Sequence, residues 1–298
     1  EQGIFEEGFL EYLKDFKFSG DLYSFEEGSV IFPQEPLVRI HANLIEAQII
    51  EGLVLNLCNF QSLIATKASR VCYAANGDGI MEFGLRRAQG PDAGLYGARA
   101  AVIGGCVGTS NVLAGEMFDV PVMGTHAHSW IMTFKDEYTA FKEYARLYPD
   151  ACTLLVDTYD TLKSGVPNAI RVFTEMREAG IKPKSYGIRL DSGDLAYLSK
   201  KARKMLDDAG FQDAVIAASN DLDEFLIHDL KMQGAAISSW GVGTNLITSK
   251  DCPSFGGVYK LAAIQNAEGE FQPKIKISEN IEKITNPGNK TIYRIYDK

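Results

Sequence analysis

Histidine is scarce in this chain, with four residues in 298, at positions 41, 126, 128 and 228. Cysteine is thin as well. Cys58, Cys72, Cys106, Cys152 and Cys252 are odd in number, scattered, and never spaced as Cys-x-x-Cys. Neither a zinc cage nor a disulfide framework is suggested. Reduced, mostly buried thiols in a cytoplasmic protein are the expectation. No uninterrupted apolar stretch is long enough to cross a bilayer, and the start carries no signal-peptide pattern. Basic charge is in deficit: 30 Lys and Arg face 39 Asp and Glu, a net charge of −9. A basic face for nucleic acid or a membrane surface is therefore not expected. A few converging Arg and Lys side chains can still grip a small anionic ligand locally.

What the chain does have is length and rhythm. A composition of 46% hydrophobic and 23% charged residues suits a globular protein with a real core. Phe5, Phe9, Leu13 and Phe16 fall on one helical face. Residues 22–40 read as short strands broken by turn residues. Residues 44–69 read as one or two heavily buried helices. From about residue 80 the pattern changes to short apolar runs alternating with amphipathic helices. The runs are Ile80–Leu85, a weak one near Ala101–Val107, Val120–Met123, Thr153–Val156, Tyr186–Leu190, Ala214–Ala218 and Ala235–Trp240. Pro167 opens one helix and Gly180 closes it; Gly210 closes another.

Every run ends in polar, charged or Gly residues. An open sheet needs such ends only at its switch point, whereas a closed barrel needs them all round. The expected fold is α/β: an irregular, roughly seven-stranded parallel β/α barrel, with a second α+β domain formed from both chain ends. The expected boundaries are 1–75 for the N-terminal part of the mixed domain, 76–262 for the barrel, and 263–298 for a return toward the first domain. The chain starts at Glu1 rather than Met and stops in mid-pattern at Tyr296-Asp297-Lys298, so it reads as a piece of something longer.

Chemistry concentrates in Gly124-Thr125-His126-Ala127-His128-Ser129, between the third run and a segment whose apolar residues (Ile131, Phe134, Tyr138, Phe141, Ala145) recur at helical spacing. His126 and His128 could be a metal pair. No later strand end offers a histidine, which disfavours a metal-dependent hydrolase. A nucleophilic or acid–base histidine beside Thr125 and Ser129 is the other reading. Arg86 and Arg189, at two strand ends, suit a bidentate grip on carboxylate or phosphate. Gly241-Val242-Gly243-Thr244, and a helix start at Ser219-Asn220, could present backbone N–H groups to a phosphate. Asp157 and Asp191 could hold Mg²⁺ through oxygen, directly or through water; Asp191-Ser192 could equally cap the helix beginning near Leu195.

Several long motifs stand in order along the chain: Glu82-Phe83-Gly84-Leu85-Arg86-Arg87-Ala88-Gln89-Gly90-Pro91-Asp92, Gly124–Ser129, Leu155-Val156-Asp157-Thr158-Tyr159-Asp160, Arg189-Leu190-Asp191-Ser192-Gly193-Asp194, and Trp240-Gly241-Val242-Gly243-Thr244. Together they resemble the nicotinate phosphoribosyltransferase family of type II phosphoribosyltransferases. The resemblance implies transfer of phosphoribosyl from phosphoribosyl pyrophosphate to nicotinate, giving nicotinate mononucleotide and pyrophosphate in NAD salvage. It also implies coupling to ATP hydrolysis through a phosphorylated histidine, which by motif position is His128, and leaves His126 without a role. It implies Phe83 stacking on the pyridine ring, with Arg86 and Arg189 near nicotinate and the phosphoribosyl group. Gly124, Thr125 and Ser129 are implied beside the substrate, Asp157 and Asp191 near ribose and Mg²⁺, and Ser219, Asn220, Gly241, Gly243 and Thr244 around the 5′-phosphate. Related nicotinamide enzymes carry an acidic residue where Ser110 stands. A carboxylate there would repel nicotinate, so neutral Ser110 points to nicotinate. A homodimer with a shared active site is implied as well. The alternatives are quinolinate phosphoribosyltransferase and a truncated, non-catalytic phosphoribosyl-binding fragment.

Overall fold

A computed structural model describes residues 3–279, 284–295 and 297. Glu1, Tyr296 and Lys298, on which the reading of the chain ends rests, lie outside these. The chain divides into two units, one of residues 1–59 with 256–298 and one of residues 60–255.

The first unit holds helix α1 (Glu7–Lys14), the antiparallel strands β1 (Asp21–Ser24) and β2 (Val38–His41), and helix α2 (Leu44–Ile49). Asn43 caps α2, its side chain accepting the Glu46 N–H at 3.0 Å. The predicted 44–69 helix is therefore two, α2 and the 25-residue α3 (Glu51–Ala75), which runs on into the second unit.

The second unit contains the parallel strands β3 (Gly79–Glu82), β4 (Gly108–Thr109), β5 (Ala151–Leu155), β6 (Ser185–Leu190), β7 (Val215–Ala218) and β8 (Ser239–Val242). Their order is β4-β3-β8-β7-β6-β5, and every pairing is parallel. The helices between them are α4 (Pro91–Ile103), α5 (Val112–Phe118), α6 (His128–Met132), α7 (Glu137–Leu147), α8 (Val166–Glu178), α9 (Leu195–Asp208), α10 (Glu224–Met232) and α11 (Thr244–Ile247). A π-helical turn, Thr161–Gly165, leads into α8. Back in the first unit, β9 (Ala263–Gln265) and β10 (Phe271–Pro273) form an antiparallel hairpin.

The α/β barrel expectation holds in class, with corrections at three places. The run near Ala101–Val107 is mostly the end of α4; its strand begins at Gly108. A short apolar run cannot be told from the inner face of a buried helix by periodicity alone. The third run, Val120–Met123, joins the sheet, among the described residues, through an isolated bridge, Thr109 to Val122. The helix expected through Ile131–Ala145 breaks after Met132. Asp136 starts a new one, its side chain accepting the Thr139 N–H at 2.7 Å.

The strands are held by their outward residues. Ile80, Leu154, Ile188, Ile216 and Trp240 are buried, as are Ile64 and Val71 of α3, Phe141 of α7, Phe173 of α8 and Leu206 of α9. Each such Leu, Ile or Phe contributes roughly 1.5–3 kcal/mol by leaving water. The helices therefore stay on the outside, and the loops at the strand C-termini are free to carry chemistry.

Candidate active site

Strand β6 alternates. Ile188 and Leu190 go into the core, so Arg189 faces the other way with only 14% of its side chain exposed. Its guanidinium donates to Thr125 Oγ1 and lies 3.7 Å from Asp191 Oδ1. Burial disfavours the charge and lowers the pKa of Arg189 from its ordinary value, and the charge of Arg86 adds to this. Arg86 itself is exposed, in a 3₁₀ turn (Leu85–Arg87). The charge of Arg86 thus reaches Arg189, so both arginines named from the sequence belong to one electrostatic neighbourhood.

Asp157 follows β5, its side chain 2% exposed. Its Oδ2 accepts the Asp191 N–H at 2.9 Å and the Ser192 hydroxyl at 2.6 Å. Its Oδ1 is buried without a hydrogen-bond partner. Asp191 Oδ1 accepts the Ser219 hydroxyl. Asp191 is not a helix cap: Asp194 caps α9, its side chain accepting the Tyr197 N–H at 2.9 Å. That leaves Asp191 Oδ2 facing His128, 3.6 Å from Nε2, while Asp157 Oδ1 lies 3.9 Å from the same nitrogen. The Nδ1 of His128 is 3.0 Å from Thr158 Oγ1.

His128, Asp157, Asp191, Arg189, Thr125 and Ser219 therefore form one connected network drawn from the ends of β5, β6 and β7 and from the segment after the Val122 bridge. A second group surrounds Phe83. Its ring packs over Gly241, where an added Cβ would come within 2.5 Å of the ring, and Gly243 lies against the Phe83 carbonyl. Gly241 is inside β8 rather than after it, so a side chain packing on it explains the glycine without a phosphate. Ser110 is exposed, and its N–H donates to the Glu82 carbonyl at 3.0 Å.

Other expected residues stand apart. Gly124, Ser129, Asn220 and Thr244 have no side-chain hydrogen bond or ion pair to these groups among the described residues. Ser219-Asn220 is not a helix start; α10 begins at Glu224 with Asp223 as its cap, and Asn220 has φ 98°.

The two histidines face different tasks. His126 is buried, and its Nε2 accepts the Leu155 backbone N–H at 3.2 Å. Its ring lies edge-on to Tyr144, centroids 4.5 Å apart. Burial first, then the charge of Arg189, pushes its pKa down to about 4. It is a neutral structural residue, not half of a metal pair. Among the described residues no group of three or more His, Cys, Asp or Glu could hold a metal ion. Asp157 and Asp191 nevertheless offer hard oxygen donors, one of them buried and unpartnered. Such a pair fits a Mg²⁺ that keeps waters and phosphate oxygens as its remaining ligands.

Sequence reasoning gave no role to Thr158 or Glu82, and offered Ser192 only as part of a helix cap and His126 only as half of a metal pair. Thr158 and Ser192 each stand one residue after a strand-end aspartate, the one usable signal. Glu82 is fully buried among neutral donors, and nothing in its neighbours along the chain announces that.

The second unit is thus a six-stranded parallel β/α sheet curled into a partial barrel, with a cation-, acid- and histidine-bearing site at its strand C-termini. Its sequence matches the family models described as the nicotinate phosphoribosyltransferase N-terminal domain, over residues 1–59, and the nicotinate phosphoribosyltransferase family, over residues 79–293. The chain belongs to the nicotinate phosphoribosyltransferase family. It is 56% identical to the nicotinate phosphoribosyltransferase of Bacillus subtilis, across 93% of this chain and 55% of that protein. It is 34% identical to that of Homo sapiens, across 90% of this chain and 59% of that protein. The crystal structure of human nicotinic acid phosphoribosyltransferase superposes with a TM-score of 0.73 at 30% identity, covering 80% of this chain and 58% of that one. Nicotinate-nucleotide pyrophosphorylase from Pyrococcus furiosus gives 0.67 at 28% identity, covering 78% and 58%. The chain spans little more than half the length of these relatives. The quinolinate alternative is not favoured, since the family models and the curated relatives are of the nicotinate type.

Proposed function

We propose that this chain carries the catalytic barrel of an ATP-coupled nicotinate phosphoribosyltransferase, with His128 as the phosphate acceptor. The observation that carries the reading is the setting of His128. Thr158 Oγ1 stands at Nδ1, and Nε2 is left without a close partner, facing two aspartates. With Thr158 accepting from Nδ1–H, the lone pair resides on Nε2, the nucleophilic atom. Nε2 attacks the γ-phosphorus of ATP; an N–P bond forms, the bridging P–O bond breaks, and ADP leaves.

In the transfer itself the ring nitrogen of nicotinate attacks the anomeric carbon of phosphoribosyl pyrophosphate and pyrophosphate departs. That chemistry needs positioned anions and stabilised leaving-group charge more than a strong base. Arg189 and Arg86 supply fixed positive charge, and Phe83 and Ser110 border the acceptor ring. Asp157 and Asp191 would hold Mg²⁺, directly or through water, and the ion would neutralise phosphate charge there. A phosphate on His128 adds roughly two negative charges beside these two aspartates. The resulting repulsion is the means by which ATP energy alters affinity for substrates and products.

We also infer a homodimer with a shared active site. Helix α5 supports it by exposing Val112 (69%), Leu113 (52%) and Met117 (54%), an apolar face on a small helix. We place the enzyme in the cytoplasm, where its five free thiols stay reduced. No helix among the described residues is long and apolar enough to cross a membrane.

Incubation with γ-labelled ATP tests the reading. An acid-labile label is expected on the wild-type chain and not on His128→Ala, which keeps slow, uncoupled transfer. Full ATP coupling in that variant would overturn the role of His128. A chain that binds phosphoribosyl pyrophosphate but neither labels nor transfers would be a non-catalytic fragment.

A further inference from the structure

Glu82 is the last residue of β3 and is 0% exposed. Both of its carboxylate oxygens are taken by neutral donors from different loops. Oε1 accepts the N–H of Gly84, the residue that starts the 3₁₀ turn holding Arg86. Oε2 accepts the Thr109 hydroxyl at 2.6 Å. Thr109, also 0% exposed, receives the Asn111 N–H on the same hydroxyl at 3.0 Å. The main chain repeats the link. The Glu82 carbonyl accepts the Ser110 N–H at 3.0 Å, and Phe83 N–H donates to Val242 at 2.8 Å. Gly84 has no room for a side chain: an added Cβ would lie 2.4 Å from Ile247 and 2.8 Å from Glu82 Oε1.

A buried carboxylate bonded only to neutral groups is costly to keep. Burial raises its pKa, and the two hydrogen bonds offset that only in part. A core that needed merely to be filled would place an apolar residue here. What the carboxylate achieves is geometric: one fork fixes the loop after β3 to the last residue of β4, from which the loop carrying Ser110 leaves. Phe83 and Arg86 stand on the first and Ser110 on the second.

We infer that Glu82 is a positioning residue that sets the spacing between Phe83, Arg86 and Ser110, and so the fit of the pyridine carboxylate acceptor. This rests on the nicotinate reading of the site. It goes beyond it by assigning acceptor recognition to a residue that never touches the ligand.

The test is steady-state kinetics with nicotinate varied, run beside γ-labelled ATP labelling of His128, which lies on another loop. For Glu82→Ala the expected result is a rise in the KM for nicotinate of roughly tenfold or more, because misplacement of substrate contacts by a fraction of an ångström is enough. The kcat and the labelling rate should stay within about twofold. Thr109→Val removes one arm of the fork with little change of shape and should raise the same KM by a smaller factor. Thr109→Ser, which keeps the hydroxyl, should restore it. These Thr109 variants decide the matter if Glu82→Ala does not fold. An unchanged KM in both Glu82→Ala and Thr109→Val overturns the inference, as does a rise in KM accompanied by an equal loss of kcat and of labelling in folded protein, the mark of a general structural role. Failure of the nicotinate reading itself looks different: the wild-type chain would then neither label nor transfer.

Discussion

Thr158 Oγ1 lies 3.0 Å from Nδ1 of His128, while the other ring nitrogen faces Asp191 and Asp157 at 3.6 and 3.9 Å. The hydroxyl fixes both the ring orientation and the nitrogen that keeps its lone pair. Thr158→Val removes the hydroxyl at nearly constant volume. Labelling of His128 by γ-labelled ATP should slow by roughly tenfold, the worth of one hydrogen bond of about 1.4 kcal/mol. Thr158→Ser should label at close to the wild-type rate. Equal rates in the valine variant would mean that the ring is oriented by the aspartates alone.

Ser110 is exposed and its backbone is tied to Glu82, so its side chain can change without moving the loop. On the proposed reading, Ser110→Asp would put a carboxylate opposite the carboxylate of nicotinate. Like charges at such range cost roughly 1–4 kcal/mol at the dielectric of a partly wet site. The Kd for nicotinate, measured by calorimetry, should rise at least about tenfold. The Kd for phosphoribosyl pyrophosphate should change less.

Gly241→Ala brings a methyl within 2.5 Å of Cδ2 and 2.6 Å of Cε2 of Phe83. The ring must shift. Overpacking of this kind costs about 1–3 kcal/mol of stability, readable by urea unfolding. The KM for nicotinate should rise more than that for phosphoribosyl pyrophosphate. The reverse order would return Gly241 to the phosphate-binding role expected from its motif.

His126 gives the protein an acid-sensitive stability. Burial pushes its pKa down from 6.5 to about 4. On acidification the unfolded chain takes up a proton near pH 6.5, which the folded protein refuses until about pH 4. The stabilising contribution is therefore complete above pH 6.5, shrinks as pH falls through this window, and levels off below it. The full loss from this one group is roughly 3 kcal/mol. Urea unfolding of the wild type and of His126→Gln at pH 7 and pH 5 isolates it. Glutamine still accepts from Leu155 but does not titrate, so its unfolding free energy should fall less between the two pH values. Equal falls would put the acid sensitivity elsewhere.

The sequence displayed the alternation of strand and helix because outward strand residues such as Ile188 and Ile216 must be apolar while the strand ends need not be. It also displayed helix ends where one residue decides them: Gly180 and Gly210 both take positive φ, at 75° and 82°. It misled where an apolar run had two explanations. Ala98, Ala100 and Ala101 are buried because α4 packs through them, not because they form a strand. At the site, Arg189, Asp157 and Asp191 were legible because charged residues at strand ends have few other reasons to be there, and His128 was picked out from His126 by the resemblance of its motif. Their partners were not. Which hydroxyl meets which nitrogen depends on spacing across β5 and β6, and that spacing appears only once the strands are in register. The division of labour between His126 and His128 was hidden for the same reason: two residues apart in sequence, they meet different neighbours.

One consequence concerns the histidine-bearing segment itself. Between Val122, bridged to Thr109 on one side, and strand β5 on the other, no strand ladder closes the wall among the described residues; the segment is fastened by side-chain bonds, His126 to the Leu155 amide, His128 to Thr158 and Thr125 to Arg189. The wall is a split ring fastened by a clasp, and residues 124–129 ride on the clasp. Each of these bonds is worth on the order of 1 kcal/mol, and they are separate side-chain contacts rather than a ladder of paired strands. On the proposed reading, a phosphate on His128 would push against Asp157 and Asp191, and the segment that carries it is the one held to its neighbours by side-chain bonds.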